Sequence, residues 1–244
     1  MMAAAPPFRR RSFYSRIVLP LCWAFRRAMP LRHLLIVVAA LLAALASSRQ
    51  ASAHPHVWIT MKSEVLYAPD GRATGVRQHW TFDDMFSAMA TQGLEAKTPG
   101  KFTPEELEPL AKVNVESLKE FEYFTYANAD GKKTAFGEPL SDYALAYADG
   151  YLTLSFTLPF KEPVRAKVLK IEVFDPAIFI DFAFLKENPV SLSGAPAGCK
   201  LGVELPRELT FEEGKRLSQI PADQQNTTMA WGANFANKIM VTCP

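Results

Sequence analysis

Cysteine and histidine are scarce in this chain, and it has no apolar run long enough to cross a membrane. Only three cysteines and four histidines occur among 244 residues. The apolar run at 34–46 has thirteen residues, whereas a spanning helix needs about 20. No Ser–His–Asp arrangement, phosphate-binding loop or pair of catalytic carboxylates can be argued from the remaining residues. The sequence therefore predicts a protein that is not an enzyme.

Acidic residues are absent from positions 1–53, which carry eight Lys or Arg residues. The apolar run lies within this stretch and is followed by Ala51-Ser52-Ala53, the small-residue pattern of a signal cleavage site. This order predicts a secretory signal cleaved after Ala53 and a single periplasmic domain at 54–244. An uncleaved anchor is the alternative, for which the run is short. Met29 is the expected true start of translation, because it would begin a compact signal.

Basic residues are the minority after position 53. There, 19 Lys or Arg residues face 25 Asp or Glu residues, a formal charge of −6. An acidic surface argues against nucleic acid or anionic lipid as the main partner and is compatible with cations. No stable membrane anchor is expected once the signal is removed.

The cysteine pair that remains after cleavage is Cys199 and Cys243. An even number of cysteines in an oxidising compartment favours a disulfide, here one that ties down the C-terminus. The alternative is a thiolate metal site. It is disfavoured because the two residues are 44 positions apart and neither belongs to a Cys-x-x-Cys pair.

Alternating polar and apolar residues predict a first strand at about 56–66 and a return strand at about 74–82. The Asp70-Gly71 turn between them implies that paired residue numbers sum to 141. This register is favoured because apolar then meets apolar and acid meets base across the pair. It pairs Ile59 with Phe82, Met61 with Trp80, Val65 with Val76, Glu64 with Arg77, His79 with Lys62 and Trp58 with Asp83.

Asp-Gly turns at 130–131 and 149–150 predict two more hairpins, and further strands are expected at 166–175, 178–185 and 237–244. Helical patterns occupy about 83–120 and the stretch 210–220. Many short strands with few helices predict a mainly β protein. We expect an antiparallel β-sandwich-like domain with a helical insertion at about 83–120 and a short C-terminal helix.

The two neighbouring histidines, His54 and His56, are the main metal-ligand candidates. Cleavage after Ala53 would give His54 a free α-amine beside its imidazole, and His56 adds a third nitrogen. Such donors suit zinc, nickel and copper. Pro55 has no N–H, which excludes the planar mode that uses deprotonated backbone amides. The alternative is an exposed terminus with two solvated histidines.

Two acidic residues, Asp83 and Asp84, are candidate oxygen ligands because the predicted register brings Asp83 opposite Trp58. They fit equally well as caps of the helix that follows. Asp175 and Asp181 fit a turn and a strand end, although either carboxylate could also lie near the site.

The stretch from Glu95 to Glu106 has the outline of a calcium loop, with Gly100 at position six and Glu106 at position twelve. Lys97 and Pro99 stand where oxygen ligands are needed, so the loop is interpreted as degenerate. Glu106 has a second explanation as the capping-box partner of Thr103.

Seven segments occur in order along the chain: HPHVWI, WTFDDMFSA, TPEEL, LKEFEYFTY, FTLPF, VFDPAIFIDF and GAPAGCK. Together they resemble the domain-of-unknown-function family numbered 1007, and the resemblance covers about residues 54–244. It implies a periplasmic component associated with inner-membrane permeases of the nickel/cobalt type and with zinc or nickel handling. His54 and His56 would then be the metal-facing residues.

Three functions remain open at this point. The favoured one is a periplasmic divalent-metal-binding accessory protein of an inner-membrane zinc, nickel or cobalt transport system, whose partners are the permease and the metal ion. The second is a copper-binding periplasmic protein or oxidase that uses an N-terminal histidine chelate. The third is a structural or interaction domain in which the histidines bind no metal.

Overall fold

The computed structural model describes residues 57–219 and 229–244, and Ile36 alone before them. Contacts divide the chain after Ala51, and every strand described belongs to the unit that starts at Ser52. The predicted signal, its cleavage site and both ligand candidates His54 and His56 lie outside the described residues. The boundary at 53/54 therefore stays a prediction.

The first sheet is built around a long N-terminal hairpin. Its strand order is β5-β6-β2-β1-β8, and β9 also pairs with β1. The pairings of β1 with β8 and with β9 are parallel, and the other neighbours are antiparallel. The strands are β1 (Val57–Tyr67), β2 (Ala73–Phe82), β5 (Ala144–Ala148), β6 (Tyr151–Val164), β8 (Ile180–Phe184) and β9 (Val190–Ser193).

The second sheet has five antiparallel strands in the order β10-β11-β7-β3-β4. Its strands are β3 (Thr125–Ala129), β4 (Lys132–Thr134), β7 (Val168–Val173), β10 (Lys200–Glu204) and β11 (Asn237–Thr242). The predicted mainly β fold with antiparallel sheets is confirmed, and two parallel pairings are added to it.

The N-terminal hairpin has the predicted register. Ile59 pairs with Phe82, Met61 with Trp80, and Glu64 with Arg77, whose guanidinium lies 2.9 Å from the Glu64 carboxylate. The connection is a five-residue loop, however, with Gly71 at φ 81° and a register shift between Leu66 and Tyr67. The shift absorbs the longer loop, so the alternating faces stay in step.

The core lies between the two sheets and is joined across them by aromatic and polar contacts. Trp80 meets Phe156 and Phe182 edge-on at 4.9 Å, and Phe182 reaches Phe124 next to the second sheet at 5.6 Å. The Asn237 side-chain amide donates a hydrogen bond to the Phe182 carbonyl oxygen, which connects β11 with β8. The sheets thus bury one common core, as a sandwich does.

The predicted helical insertion consists of α1 (Asp84–Ala90), α2 (Pro104–Leu118) and a short helical segment, Lys119–Phe124. Helix α2 begins with the predicted capping box of Thr103 and Glu106 and buries Leu107, Ala111 and Val115, spaced four residues apart, against β5. The predicted C-terminal helix is α3 (Phe211–Ser218), and α4 (Met229–Gly232) with the turn Ala233–Phe235 precedes β11.

Candidate functional site

The start of β1 is fixed by Asp83. One of its carboxylate oxygens accepts the Phe86 N–H at 2.8 Å, which caps α1, and the other accepts the Trp58 N–H at 2.9 Å. The Asp83 N–H donates to the Trp58 carbonyl oxygen at 2.9 Å, as the predicted register requires. Asp83 therefore caps α1 and also binds the backbone at the start of the strand that follows His56. Each carboxylate oxygen keeps a further lone pair.

Asp181 flanks Trp58 on the other side, because the parallel register of β1 and β8 pairs these two residues. The Asp181 side chain lies at the protein surface and lines a groove together with Leu205 and Arg207. Because this groove removes part of the water around the carboxyl group, the pKa of Asp181 is raised. Sequence reasoning gave Asp181 only a minor role. The parallel pairing that brings it next to Trp58 has no local signal in the sequence.

Asp84 is exposed, and one of its oxygens accepts the N–H of the next residue, Met85. Asp83, Asp84 and Asp181 are thus near the strand start, but the histidines that would complete a metal site lie outside the described residues. Among the residues that the structure describes, no group of three or more His, Cys, Asp or Glu side chains could hold a metal ion.

His79 lies on the same face of the sheet as Trp58 but farther along the hairpin. Its Nδ1 is 2.8 Å from Ser155 Oγ, and it pairs with Lys62 as predicted. Burial, together with the charges of Arg77 and Lys62, lowers its pKa. His79 is therefore a half-buried, hydrogen-bonded histidine, separate from the strand start.

The calcium-like loop uses its terminal acid for the backbone. The two Glu106 oxygens accept the N–H groups of Lys97 at 3.0 Å and Thr103 at 2.8 Å, and these bonds lower the Glu106 pKa. Gly100, at φ 73°, completes a tight turn after Pro99, and Glu95 is exposed. Glu106 therefore closes the loop through backbone hydrogen bonds.

The predicted disulfide is present. Cys199 and Cys243 are bonded and join the start of β10 to the end of β11. This bond lies beside Tyr67 and Gly71, at the far end of β1 from Trp58.

A cavity of 750 Å³ opens beside the start of β1 and was not predicted. It lies between the C-terminal end of α2, the loop before β8 and the adjoining strand ends. Four of the segments quoted above contribute most of its walls. Its apolar lining is Val57, Ile59, Trp80, Phe82, Phe86, Leu118, Phe121, Phe124, Leu154, Pro176, Ala177, Phe179 and Ile180.

Backbone strain is concentrated in the cavity wall. Glu122, Tyr123 and Phe124 have φ values of 50°, 55° and 47°, and Ile178, a β-branched residue, has φ 54°. Such conformations are uncommon outside glycine and persist only where the surrounding structure enforces them. At Ile178 the enforcing group is Asp175, whose carboxylate accepts the N–H groups of Ala177, Phe179 and Ile180 at 2.8–3.0 Å.

Among the residues that the structure describes, the cavity wall contains acids but no base. Glu120, Glu122 and Asp175 line it together with Tyr126, and none of the described Lys, Arg or His residues does. Burial raises the Tyr126 pKa, and the charges of Glu122 and Asp175 raise it further. The signal that could have indicated this cavity is the density of aromatic residues in LKEFEYFTY and VFDPAIFIDF. The sequence could not show that these segments meet.

The fold and the strand start define a two-sheet, mainly β protein with a disulfide at one end and an acidic, aromatic-lined cavity at the other. Residues 39–243 match the family described as Protein of unknown function (DUF1007), and the chain belongs to that family. It is also 33% identical, over 100 residues, to an "Uncharacterized 15.5 kDa protein in trpE 3'region" from Spirochaeta aurantia. That match covers 41% of this chain and 71% of the relative.

None of the helices in the described part of the chain is long and apolar enough to span a membrane.

Proposed function

We propose that the protein is a periplasmic accessory protein that binds a divalent metal ion, zinc or nickel, and serves an inner-membrane metal permease. The metal would be bound by the α-amine and imidazole of His54 and by the imidazole of His56. These nitrogen donors match the preferences of zinc and nickel. The ion is cargo in this proposal, and the protein performs no chemistry on it.

The observation that carries the proposal is the pair of carboxylates around Trp58. Asp83 is bonded to the Trp58 backbone on one side, and Asp181 is its register partner on the other. Residues two apart on a strand share a face. A ligand set of His54, His56 and one or both carboxylates therefore requires only that the chain continue in extended form before Val57.

Two further features support export and cation handling. The Cys199–Cys243 disulfide is typical of an oxidising compartment. The formal charge of −6 over residues 54–244 favours cations near the surface.

The test uses protein exported and processed by its own signal, because a tag or a leftover methionine would remove the α-amine. We expect an intact mass that begins at His54 and calorimetric binding of one zinc or nickel ion. The His54→Ala/His56→Ala variant should lose affinity by about 100-fold or more, and Asp181→Asn by roughly tenfold, the size of effect that supporting groups have at metal sites.

The matched control is His79→Ala, which removes a histidine from the same sheet face and should leave metal affinity unchanged. A mature mass that begins elsewhere, or full affinity in the double histidine variant, would contradict the proposal. Tight binding of copper alone would instead favour a copper protein.

A further inference from the structure

We propose that the cavity between α2 and the loop before β8 binds a small amphipathic organic cation. Its apolar body would fill the aromatic cavity, and its positive group would lie at Glu120. This site is separate from the metal site proposed above and does not depend on it.

The size and lining of the cavity are those of a small-molecule site. Its 750 Å³ falls within the roughly 300–1,000 Å³ that such sites span, and its walls are mainly aromatic and aliphatic. Two of its aromatic residues, Phe121 and Phe179, remain 52% and 43% exposed. Large aromatic side chains left exposed together next to a cavity commonly mark a binding site.

Trp80 forms part of the cavity wall although it is only 1% exposed. Its indole Nε1 is buried and has no hydrogen-bond partner in the described structure. A ligand in the cavity would therefore contact the ring without bonding to Nε1, which makes the indole a reporter of binding.

The acidic residues of the cavity wall favour a ligand with a positive charge. Of the described residues, three acids and no base line the cavity. Glu122 lies 3.7 Å from Lys133, and Asp175 holds backbone N–H groups, but the Glu120 carboxylate has no ion-pair or hydrogen-bond partner in the described part of the chain. A cationic group at the opening would be attracted by all three acids and would pair with Glu120.

The rigid wall favours a ligand over closure by the protein itself. The Asp175 carboxylate holds three backbone N–H groups of its loop, and the left-handed run at 122–124 is tied at its end by the Phe174 N–H, which donates to the Phe124 carbonyl oxygen at 3.1 Å. A site that is already shaped before binding loses little conformational entropy when a ligand enters.

Decyltrimethylammonium and decyl sulfate are suitable probes, because they share one alkyl chain and carry opposite charges. Calorimetry below the micellar range should show the cation binding about tenfold more tightly than the anion. Glu120→Gln should reduce that preference by roughly fivefold, the effect of one partly exposed charge pair. Glu108→Gln, on the exposed part of α2, is the matched control and should leave the preference unchanged.

The location of binding is tested by the Trp80 indole N–H resonance, assigned with Trp58→Phe and Trp231→Phe variants. It should shift with the cation, because Trp80 lines the cavity. Ala177→Phe, which fills the cavity, should abolish binding of every probe while the remaining amide spectrum shows an intact fold.

Several results would overturn the inference. Absence of binding by both probes would contradict it. Equal binding of the two probes would also contradict it, because that result would show apolar adsorption alone. Unchanged binding in Ala177→Phe would exclude the cavity as the site. A Trp80 shift that appears with protein concentration, together with dimer formation, would instead assign the cavity to a second copy of the chain.

Discussion

At the residue scale, Asp175 controls the conformation of a whole loop. Its carboxylate accepts three backbone N–H groups, and Ile178 between them is held in the left-handed region. Asp175→Asn removes the charge and replaces one acceptor oxygen by an amide group. We expect a loss of about 1–3 kcal/mol in the free energy of unfolding, measured by urea denaturation.

Asp149→Asn is the control for that substitution. Asp149 is exposed in a hairpin turn at φ 53°, a conformation that asparagine also tolerates. Its effect should stay within about 0.5 kcal/mol. Equal stabilities of the two variants would contradict the role assigned to Asp175.

Gln78 makes a polar bridge through the core. Ser63 Oγ donates to its Oε1 at 2.6 Å, and its Nε2 donates to Thr125 Oγ1 in the other sheet at 3.4 Å. Gln78→Leu leaves the Ser63 hydroxyl without this acceptor, so we expect a loss of about 1–3 kcal/mol in chemical denaturation. Adding Ser63→Ala should recover part of that loss, because both partners are then apolar. No recovery would mean that packing, not hydrogen bonding, sets the effect.

One contact of Gln78 can be predicted from the sequence, and the other cannot. The register that sums to 141 pairs Ser63 with Gln78, so their contact follows from the hairpin alone. Thr125 could not be predicted as the third partner, since it belongs to a strand of the other sheet, 47 residues away. The same register pairs Trp80 with Met61, but the unpaired Trp80 N–H depends on segments that meet only in the folded molecule.

At the element scale, α4 packs so closely on the loop before β8 that only glycine fits at its end. A Cβ on Gly232 would lie 2.7 Å from the Pro176 Cα, although the backbone there is helical with φ −59°. Gly232→Ala should therefore destabilise the protein by about 1–3 kcal/mol through overpacking, despite the better helix propensity of alanine. Thermal unfolding followed by circular dichroism measures the effect.

Gly214→Ala is the matched helical control. Nothing lies within 4 Å of a Cβ at Gly214 in α3, so alanine should stabilise by about 0.5–1 kcal/mol. If both variants gained stability, the close approach of α4 to Pro176 would be disproved.

An ion pair between Arg207 and Glu213, here called the clasp, connects the segment before α3 to the first turn of that helix. Arg207 donates two hydrogen bonds to Glu213, at 2.9 and 2.8 Å, and its guanidinium lies 4.2 Å from the Phe235 ring centroid. The bonds from Arg207, followed by those from Thr210, lower the Glu213 pKa to about 2. Because this pKa is depressed, the clasp stabilises the protein fully above the ordinary value of 4.5 and weakens as the pH falls toward 2.

Arg207→Gln should raise the Glu213 pKa toward 4.5 but not fully to it, because Thr210 remains. Carbon-detected NMR titration of the side-chain carboxyls measures the shift. Arg216→Gln, an exposed change in the last turn of the same helix, should leave the Glu213 pKa near 2. The opposite ranking of the two variants would contradict the clasp.

Elements with a local signal were predictable, and elements defined by distant partners were not. The hairpins at 130–131 and 149–150 have Asp and Gly at positive φ, which the Asp-Gly dipeptide favours. Strands β9 and β10 have only four and five residues and were not predicted. The parallel pairings of β1 with β8 and β9 depend on how the chain crosses between sheets, which no periodicity encodes.

At the scale of the whole molecule, the two ends of β1 have different roles. The eleven residues of β1 span roughly 35 Å at the usual rise per residue. Asp83, Asp181 and the acidic cavity lie at its beginning, whereas the Cys199–Cys243 bond lies near its end, beside Tyr67. The cross-link should therefore affect global stability without affecting ligand binding.

The Cys199→Ser/Cys243→Ser variant separates these two properties. The bond closes a 44-residue loop, which corresponds to about 4 kcal/mol in the chain-entropy model. We expect the free energy of unfolding of the variant, measured by urea denaturation, to fall by that amount. A reducing agent should bring the wild-type protein to the same midpoint. Under conditions where the variant stays folded, decyltrimethylammonium should bind it with unchanged affinity, because the cavity is held by the Asp175 loop and α2. A parallel loss of affinity and stability would show that the two ends are coupled through β1 and would contradict their separate roles.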